Sequence, residues 1–140
     1  MQNFRRTDRP LNLLLAQASA LLSGDFVVTY ESRASVDDGC RILIQDVVSQ
    51  DGNLNGATIG DPDLVSESST GTLRRPSVAG ALDGGYLIVW ESRSDSDDVS
   101  EIFGTKYDRN GGATSDRNFM INTYTENAQE RPFAVGLFNG

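Results

Sequence analysis

Apolar side chains between residues 84 and 93 fall on both parities of the chain. Tyr86, Ile88 and Trp90 point one way if the segment is extended, and Leu87 and Val89 point the other. Residues 26–30 follow the same rule, with Phe26, Val28 and Tyr30 opposed to Val27. A strand with one wet face alternates apolar and polar positions. A strand apolar on both faces belongs inside a sheet covered on both sides. Asp83-Gly84-Gly85 separates residues 76–82 from 86–93 and predicts a hairpin. A third strand is expected at 100–108, or 41–48 in the earlier segment, and a weaker fourth near 118–124. Asn110-Gly111-Gly112 and Asp51-Gly52 predict the turns that follow the third strands, the earlier with an extra residue to form a bulge.

These patterns recur. Gly24-Asp-Phe-Val-Val-Thr-Tyr-Glu-Ser-Arg33 returns as Gly84-Gly-Tyr-Leu-Ile-Val-Trp-Glu-Ser-Arg93, an offset of 60 that also joins Asp38 to Asp98 and Ile42 to Ile102. Arg75-Pro76 returns as Arg131-Pro132, an offset of 56, and Met1-Gln2-Asn3 echoes Met120-Ile121-Asn122. Periods of this size point to stacked supersecondary units, because one unit cannot bury both its own faces. The expected fold is therefore all-β: tandem four-stranded antiparallel repeat units resembling β-propeller blades, with incomplete units at both ends. Residues 1–10 would be the last strand of a preceding unit, 11–74 the first unit, 75–130 the second, and 131–140 the first strand of a third.

The amino-terminal stretch offers two competing readings. Arg5-Arg6, the apolar run 11–16 and Ala18-Ser19-Ala20 imitate a secretory signal. Leu11, Leu14, Leu15, Ala18, Leu21 and Leu22 would share one helical face. Membership of the repeat argues for a strand instead.

Composition narrows function more than it narrows fold. Twelve basic against 20 acidic side chains leave a formal charge of -8, which opposes nucleic acid or an anionic membrane as partner. No apolar run approaches the ~20 residues of a membrane span, so membrane insertion is not expected. Eleven of the twelve cations are Arg, with Lys106 the exception, and planar guanidinium groups suit ordered contacts between units. The chain has no His and a single cysteine, Cys40, which removes His-based acid–base chemistry, an internal disulfide and multi-Cys metal sites. No Gly-x-Ser-x-Gly and no Asn-x-Ser/Thr occurs. An enzyme is not expected, since propeller enzymes build their sites from several blades and this chain supplies two units; a carboxylate pair assembled by folding is the form one would take.

Asp83-Gly-Gly-Tyr-Leu-Ile-Val-Trp-Glu-Ser92, an acidic loop, and Ile102-Phe-Gly-Thr-Lys-Tyr-Asp108 before an Asn-Gly turn carry a resemblance. Together they resemble a 50–60-residue β-repeat of very large bacterial secreted and surface proteins, adhesin-like and found near calcium-binding repeats, and are similar to integrin-type propeller blades. The likeness spans most of residues 76–140 and, less closely, 16–60; Ile42-Leu-Ile-Gln-Asp-Val-Val departs from the third-strand pattern. It implies an extracellular or cell-surface structural module, adhesive or filament-forming, and no catalytic chemistry.

Three sets of residues are candidates. Arg131, Pro132, Phe133, Val135, Leu137 and Phe138 would form an assembly interface, the orphan strand pairing with or stacking on another copy. Self-association is thus the expected partnership. Asp95, Asp97 and Asp98, with Glu101 beyond, present oxygens at a spacing a calcium ion could use. Val99 stands where a calcium loop needs Gly, so a solvated hairpin tip is the simpler reading; Val36-Asp37-Asp38-Gly39 is poorer still, and no cofactor is otherwise expected. Trp90, Glu91 and Arg93, echoing Tyr30, Glu31 and Arg33, could rim a glycan site. The alternation favours Trp90 and Tyr30 in a core, with Glu and Arg paired to adjacent strands. Arg75 and Arg131, each before Pro, are expected to be extended and to bridge units through their side chains. Asp61-Pro62-Asp63 reads as a turn, and Ser66, Ser68, Ser69 and Thr70 as a polar loop.

Overall fold

The computed structural model describes residues 12–33, 41–50, 53–65, 72–94, 99–114 and 117–137. They form eight strands and no helix: β1 (Asn12–Ala20), β2 (Phe26–Arg33), β3 (Arg41–Gln50), β4 (Asn53–Leu64), β5 (Thr72–Gly80), β6 (Tyr86–Arg93), β7 (Ser100–Tyr107) and β8 (Phe119–Met120). Two antiparallel four-stranded sheets result, in the order β1-β2-β3-β4 (sheet I) and β5-β6-β7-β8 (sheet II). The expected all-β class and antiparallel pairing are observed, and β1 stands over residues 12–20 in place of the helical alternative.

The registers make the sequence offset a physical one. β1 pairs β2 through Leu14↔Glu31, then slips and resumes at Gln17↔Thr29; β5 pairs β6 through Arg74↔Glu91, slips, and resumes at Ser77↔Val89. Both pairings, with their bulges, differ by 60 positions. β2–β3 and β6–β7 follow suit, with Phe26↔Val47 against Tyr86↔Tyr107. The turns repeat too. Leu21 N–H donates to Asp25 O at 2.7 Å and Ala81 N–H to Gly85 O at 2.8 Å, around Gly24 and Gly84 at φ 92° and 86°. A left-handed residue closing a short hairpin is the conformation glycine supplies without a Cβ clash.

Several expectations are corrected. Asp61-Pro62-Asp63 lies inside β4, not in a turn, at a register shift between Ile44↔Asp63 and Asp46↔Ile59. A bulge accommodates a proline that has no N–H to give the ladder. β5 begins at Thr72, so the boundary at residue 75 falls within a strand, and Pro76 sits at the β5 bulge rather than at the strand's first position. The fourth strands differ in length, twelve residues in β4 and two in β8. Residues 131–137 lie against sheet II without joining either sheet as a strand.

Cross-strand partners share a face, which orders the stack. Sheet I turns Ser19, Val27, Thr29 and Glu31 toward sheet II, and β5 lies across β1, β2 and β3. Sheet II answers with Val78, Tyr86, Ile88 and Trp90, and these form the core with Val27, Val65, Leu73 and Tyr107. Each such fully buried large apolar side chain contributes on the order of 1.5–3 kcal/mol. Tyr86 stacks on its cross-strand partner Tyr107, ring centroids 4.8 Å apart. Ser77, Val89 and Glu91, on the opposite face of sheet II, are also buried, beneath the chain that returns after β8. β6 is therefore covered on both sides, as its apolar pattern predicts. Tyr30 departs from its counterpart Trp90: it is half-buried, on the outer face of sheet I.

Candidate assembly interface

The contact between sheets I and II is built around a buried carboxylate. Glu31 on β2 is almost inaccessible and accepts the backbone N–H of Arg75 on β5 at 2.5 Å. Arg75 donates in that direction because its φ is 50°, left-handed, at the β5 bulge. The expectation of an extended Arg75 is thus overturned. A non-glycine residue there costs about 1–2 kcal/mol, which a hydrogen bond to a charged acceptor, about 1.5–3 kcal/mol, offsets. The side chain of Arg75 turns back to its own sheet: Nη1 meets Glu91 Oε2 at 2.7 Å and, more distantly, Glu130 Oε2 at 3.8 Å. The bridge between sheets therefore runs through the main chain of Arg75, not through its guanidinium as the sequence suggests.

Farther along the same contact the two backbones approach closely. Gly80 N–H donates to Ser19 Oγ at 2.9 Å, and a Cβ at Gly80 would lie 2.5 Å from the Ala20 carbonyl oxygen. Only glycine fits at that separation.

The far face of sheet II repeats the arrangement with residues 131–137. Arg131 is again left-handed, φ 57°, and its N–H donates to Glu91 Oε2 at 3.4 Å. Gly136 sits against the Gly80 carbonyl as Gly80 sits against that of Ala20. Ala134 N–H adds a bond to Ser77 Oγ at 3.1 Å. Glu31 with Arg75 and Glu91 with Arg131 are thus one joint used twice, advancing 60 positions on the carboxylate side and 56 on the arginine side. Ser100 Oγ adds a long contact to Glu91 Oε1 at 3.4 Å.

Of the residues the sequence assigns to assembly, Arg131 and Pro132 belong to this internal joint. Phe133, Val135 and Leu137 point away from it, 78%, 69% and 63% exposed. Phe138 lies outside the described residues. At the other end of the stack sheet I presents Ala18, Ala20, Phe26, Val28 and Tyr30, exposed or half-buried. A shallow groove of about 290 Å³ opens there, lined by Ala18, Ser19, Ala20, Gly24, Asp25 and Phe26. Burial holds the Tyr30 hydroxyl above its ordinary pKa.

The glycan set does not form an accessible rim. Trp90 is 2% exposed and Glu91 1%, inside the stack, and Arg93 is half-buried. A sugar cannot reach the Trp90 ring, so the core reading of that residue holds. Asp95, Asp97 and Asp98 lie outside the described residues, and Glu101 accepts a hydrogen bond from Asn122 Nδ2. Among the described residues no group of three acidic or thiol side chains could hold a metal ion. At the hairpin tip, Asp83 accepts the Gly85 N–H at 3.0 Å and pairs with Lys106 Nζ at 3.1 Å. The Gly85 N–H first, and Lys106 second, hold its carboxyl below the ordinary value.

Sequence reasoning singled out the recurring Glu and Arg-Pro residues but not that they meet. The signal was present in the paired offsets of 60 and 56, which place the Arg-Pro of one segment after the Glu of the previous one. Leu21, which packs against the core from the end of β1, reads in the sequence only as part of a helical face. Comparison of the chain with protein-family models, with curated proteins and with solved structures gives no match.

Proposed function

We propose that this chain is a structural module of stacked, propeller-blade-like β-repeats that assembles head to tail with further copies of itself. The observation that carries this reading is the joint used twice. A layer that receives its neighbour through Glu31, Arg75 N–H and Gly80, and offers the same set again through Glu91, Arg131 N–H and Gly136, is built to be continued. The exposed apolar residues at the two ends of the stack support the same reading, since contiguous apolar patches on a folded chain mark interaction sites. A contact between two different surfaces of one chain propagates as a ring or an open filament. Residues 83–108, through their resemblance to repeats of large secreted and surface proteins, support an extracellular or cell-surface setting and an adhesive role.

Light scattering after size separation, over a hundredfold range of concentration, tests the proposal. The expected result is a mass above that of one chain that rises with concentration, with calcium or with EDTA. A single-chain mass throughout would sink it.

A further inference from the structure

We infer that Asn110, in the loop after β7, is a self-modification site whose carboxamide is attacked by the Gly111 main chain and converted, through a cyclic imide, to aspartate or isoaspartate. The Asp108 carboxylate sets how often the loop opens for that step.

Three short loops of the chain share one geometry. Residues 21–25, 81–85 and 108–112 are each closed by a main-chain bond from the first N–H to the last carbonyl, at 2.7, 2.8 and 2.8 Å. In each the fourth residue is a left-handed glycine, Gly24, Gly84 and Gly111 at φ 92°, 86° and 79°. The loops differ at the residue before that glycine. Ser23 Oγ donates to Asp25 Oδ2 at 2.9 Å, and Asp83 accepts Gly85 N–H while pairing with Lys106. In the third loop that place is taken from outside. Asp108 Oδ1, not Asn110, accepts Gly112 N–H at 2.9 Å, and it also accepts Asn110 N–H at 2.8 Å. Asn110 is exposed, and its carboxamide has no hydrogen-bond partner among the described residues.

That arrangement leaves one reactive carbonyl. Ser23 has none, and the Asp83 carboxylate, ionised and paired, resists attack by nitrogen. Asn110 presents a carboxamide beside a residue with no Cβ to hinder approach. The Gly111 nitrogen bonds to Asn110 Cγ, the Cγ–Nδ2 bond breaks, and the proton lost by Gly111 leaves with Nδ2 as ammonia. Water then opens the five-membered imide at Cγ to give aspartate, or at the main-chain carbonyl to give isoaspartate; nothing is oxidised or reduced. Gly111 N–H is held by Asp108 O at 3.1 Å in the closed loop, so the step proceeds from the opened loop. The two bonds to Asp108 Oδ1 oppose that opening. Either product places a new carboxylate beside Asp108, where like charges repel. Isoaspartate also lengthens the main chain of the loop, next to the Tyr107↔Ala113 bridge and the bond from Thr114 N–H to Lys106 O. Of the other Asn-Gly pairs, Asn55-Gly56 falls inside β4 and Asn139-Gly140 outside the described residues.

Peptide mapping by mass spectrometry after prolonged incubation at mildly alkaline pH tests the assignment. Chymotryptic cleavage after Tyr107 and Phe119 yields one peptide holding both Asn110 and Asn118, whose Oδ1 is buried in the folded chain. In the folded parent, Asn110 is expected to convert while Asn118 stays intact, and conversion is expected to run several-fold faster in urea. Folded Asp108→Ala should convert Asn110 several-fold faster than the folded parent, and Asp108→Asn, which keeps an acceptor oxygen, should stay nearer the parent. Near-ultraviolet circular dichroism, which reads the Tyr86–Tyr107 stack, establishes that each variant folds. A folded parent in which Asn110 stays intact while urea converts it overturns the site. Equal rates in the parent and in folded Asp108→Ala overturn the role of Asp108. Should Asp108→Ala fail to fold, equal rates for the parent folded and in urea overturn that role instead.

Discussion

At the scale of single residues, Glu91 ties three parts of the described structure together. It is buried, faces the Arg75 guanidinium, and accepts from Arg131 N–H and Ser100 Oγ. Glu91→Ala strips all three. Arg75 keeps a third of its side chain in water, so its stranded charge is partly solvated and the loss falls below that of a fully buried pair. A destabilisation of about 2–3 kcal/mol is expected in urea unfolding. Glu91→Gln keeps the shape and should lose less. Asp83 gives a pH-dependent counterpart. Its carboxyl is held below the ordinary value by Gly85 N–H and Lys106, so the folded state binds that proton less readily than the unfolded state. The contribution is present above the unfolded value of about 3.9 and is lost as pH falls through the lower folded value. The melting-temperature gap between the parent and Asp83→Asn should be small but steady from pH 5 to pH 7, on the order of the loss of one exposed interaction, and close at more acidic pH.

At the scale of elements, close approach between sheets sets the sharpest constraint. Gly80→Ala drives a Cβ into the Ala20 main chain, where no flexible side chain can yield, and should cost about 1–3 kcal/mol in unfolding experiments. Gly136→Ala meets the same obstacle at the edge of the stack. It is expected to leave the unfolding midpoint nearly unchanged and to make residues 131–137 more open to limited proteolysis. Trp90→Ala empties the centre of the core and should cost about 3–5 kcal/mol. Much of this architecture was legible in the chain. The two-sided apolar pattern of β6, its glycine hairpin and the offset of 60 announce a covered antiparallel strand and its double, because burial and turn geometry are written locally. What stayed hidden is non-local or against local preference. A residue before proline reads as extended, yet Arg75 and Arg131 turn left-handed because a carboxylate from another sheet waits for their N–H groups. Asp61-Pro62-Asp63 reads as a turn, yet tertiary pairing draws it into β4 through a bulge. Tyr30 and Trp90 stand 60 positions apart at matching registers and differ in burial, because among the described residues only sheet II has a sheet on that side.

At the scale of the whole molecule, the stack has a direction. Sheets I and II each present a carboxylate forward, and the next segment supplies a left-handed arginine amide and a glycine where the backbones nearly touch. Sheet I exposes a groove at one end, and Phe133, Val135 and Leu137 stand out at the other. The proposed head-to-tail assembly would use that polarity, joining two different surfaces of the chain. It also explains why the Trp90 ring, however suited to sugar in isolation, serves packing here.

The central claim is that one joint is used twice, and amide hydrogen exchange measured by nuclear magnetic resonance tests it most directly. In the parent protein the Arg75 and Arg131 amides are both expected to exchange more slowly than free amides. Glu31→Gln should speed exchange at Arg75 while leaving Arg131 nearly unchanged, and Glu91→Gln should speed exchange at Arg131. An Arg131 amide that exchanges at the free rate in the parent, or that ignores Glu91→Gln, would contradict the account.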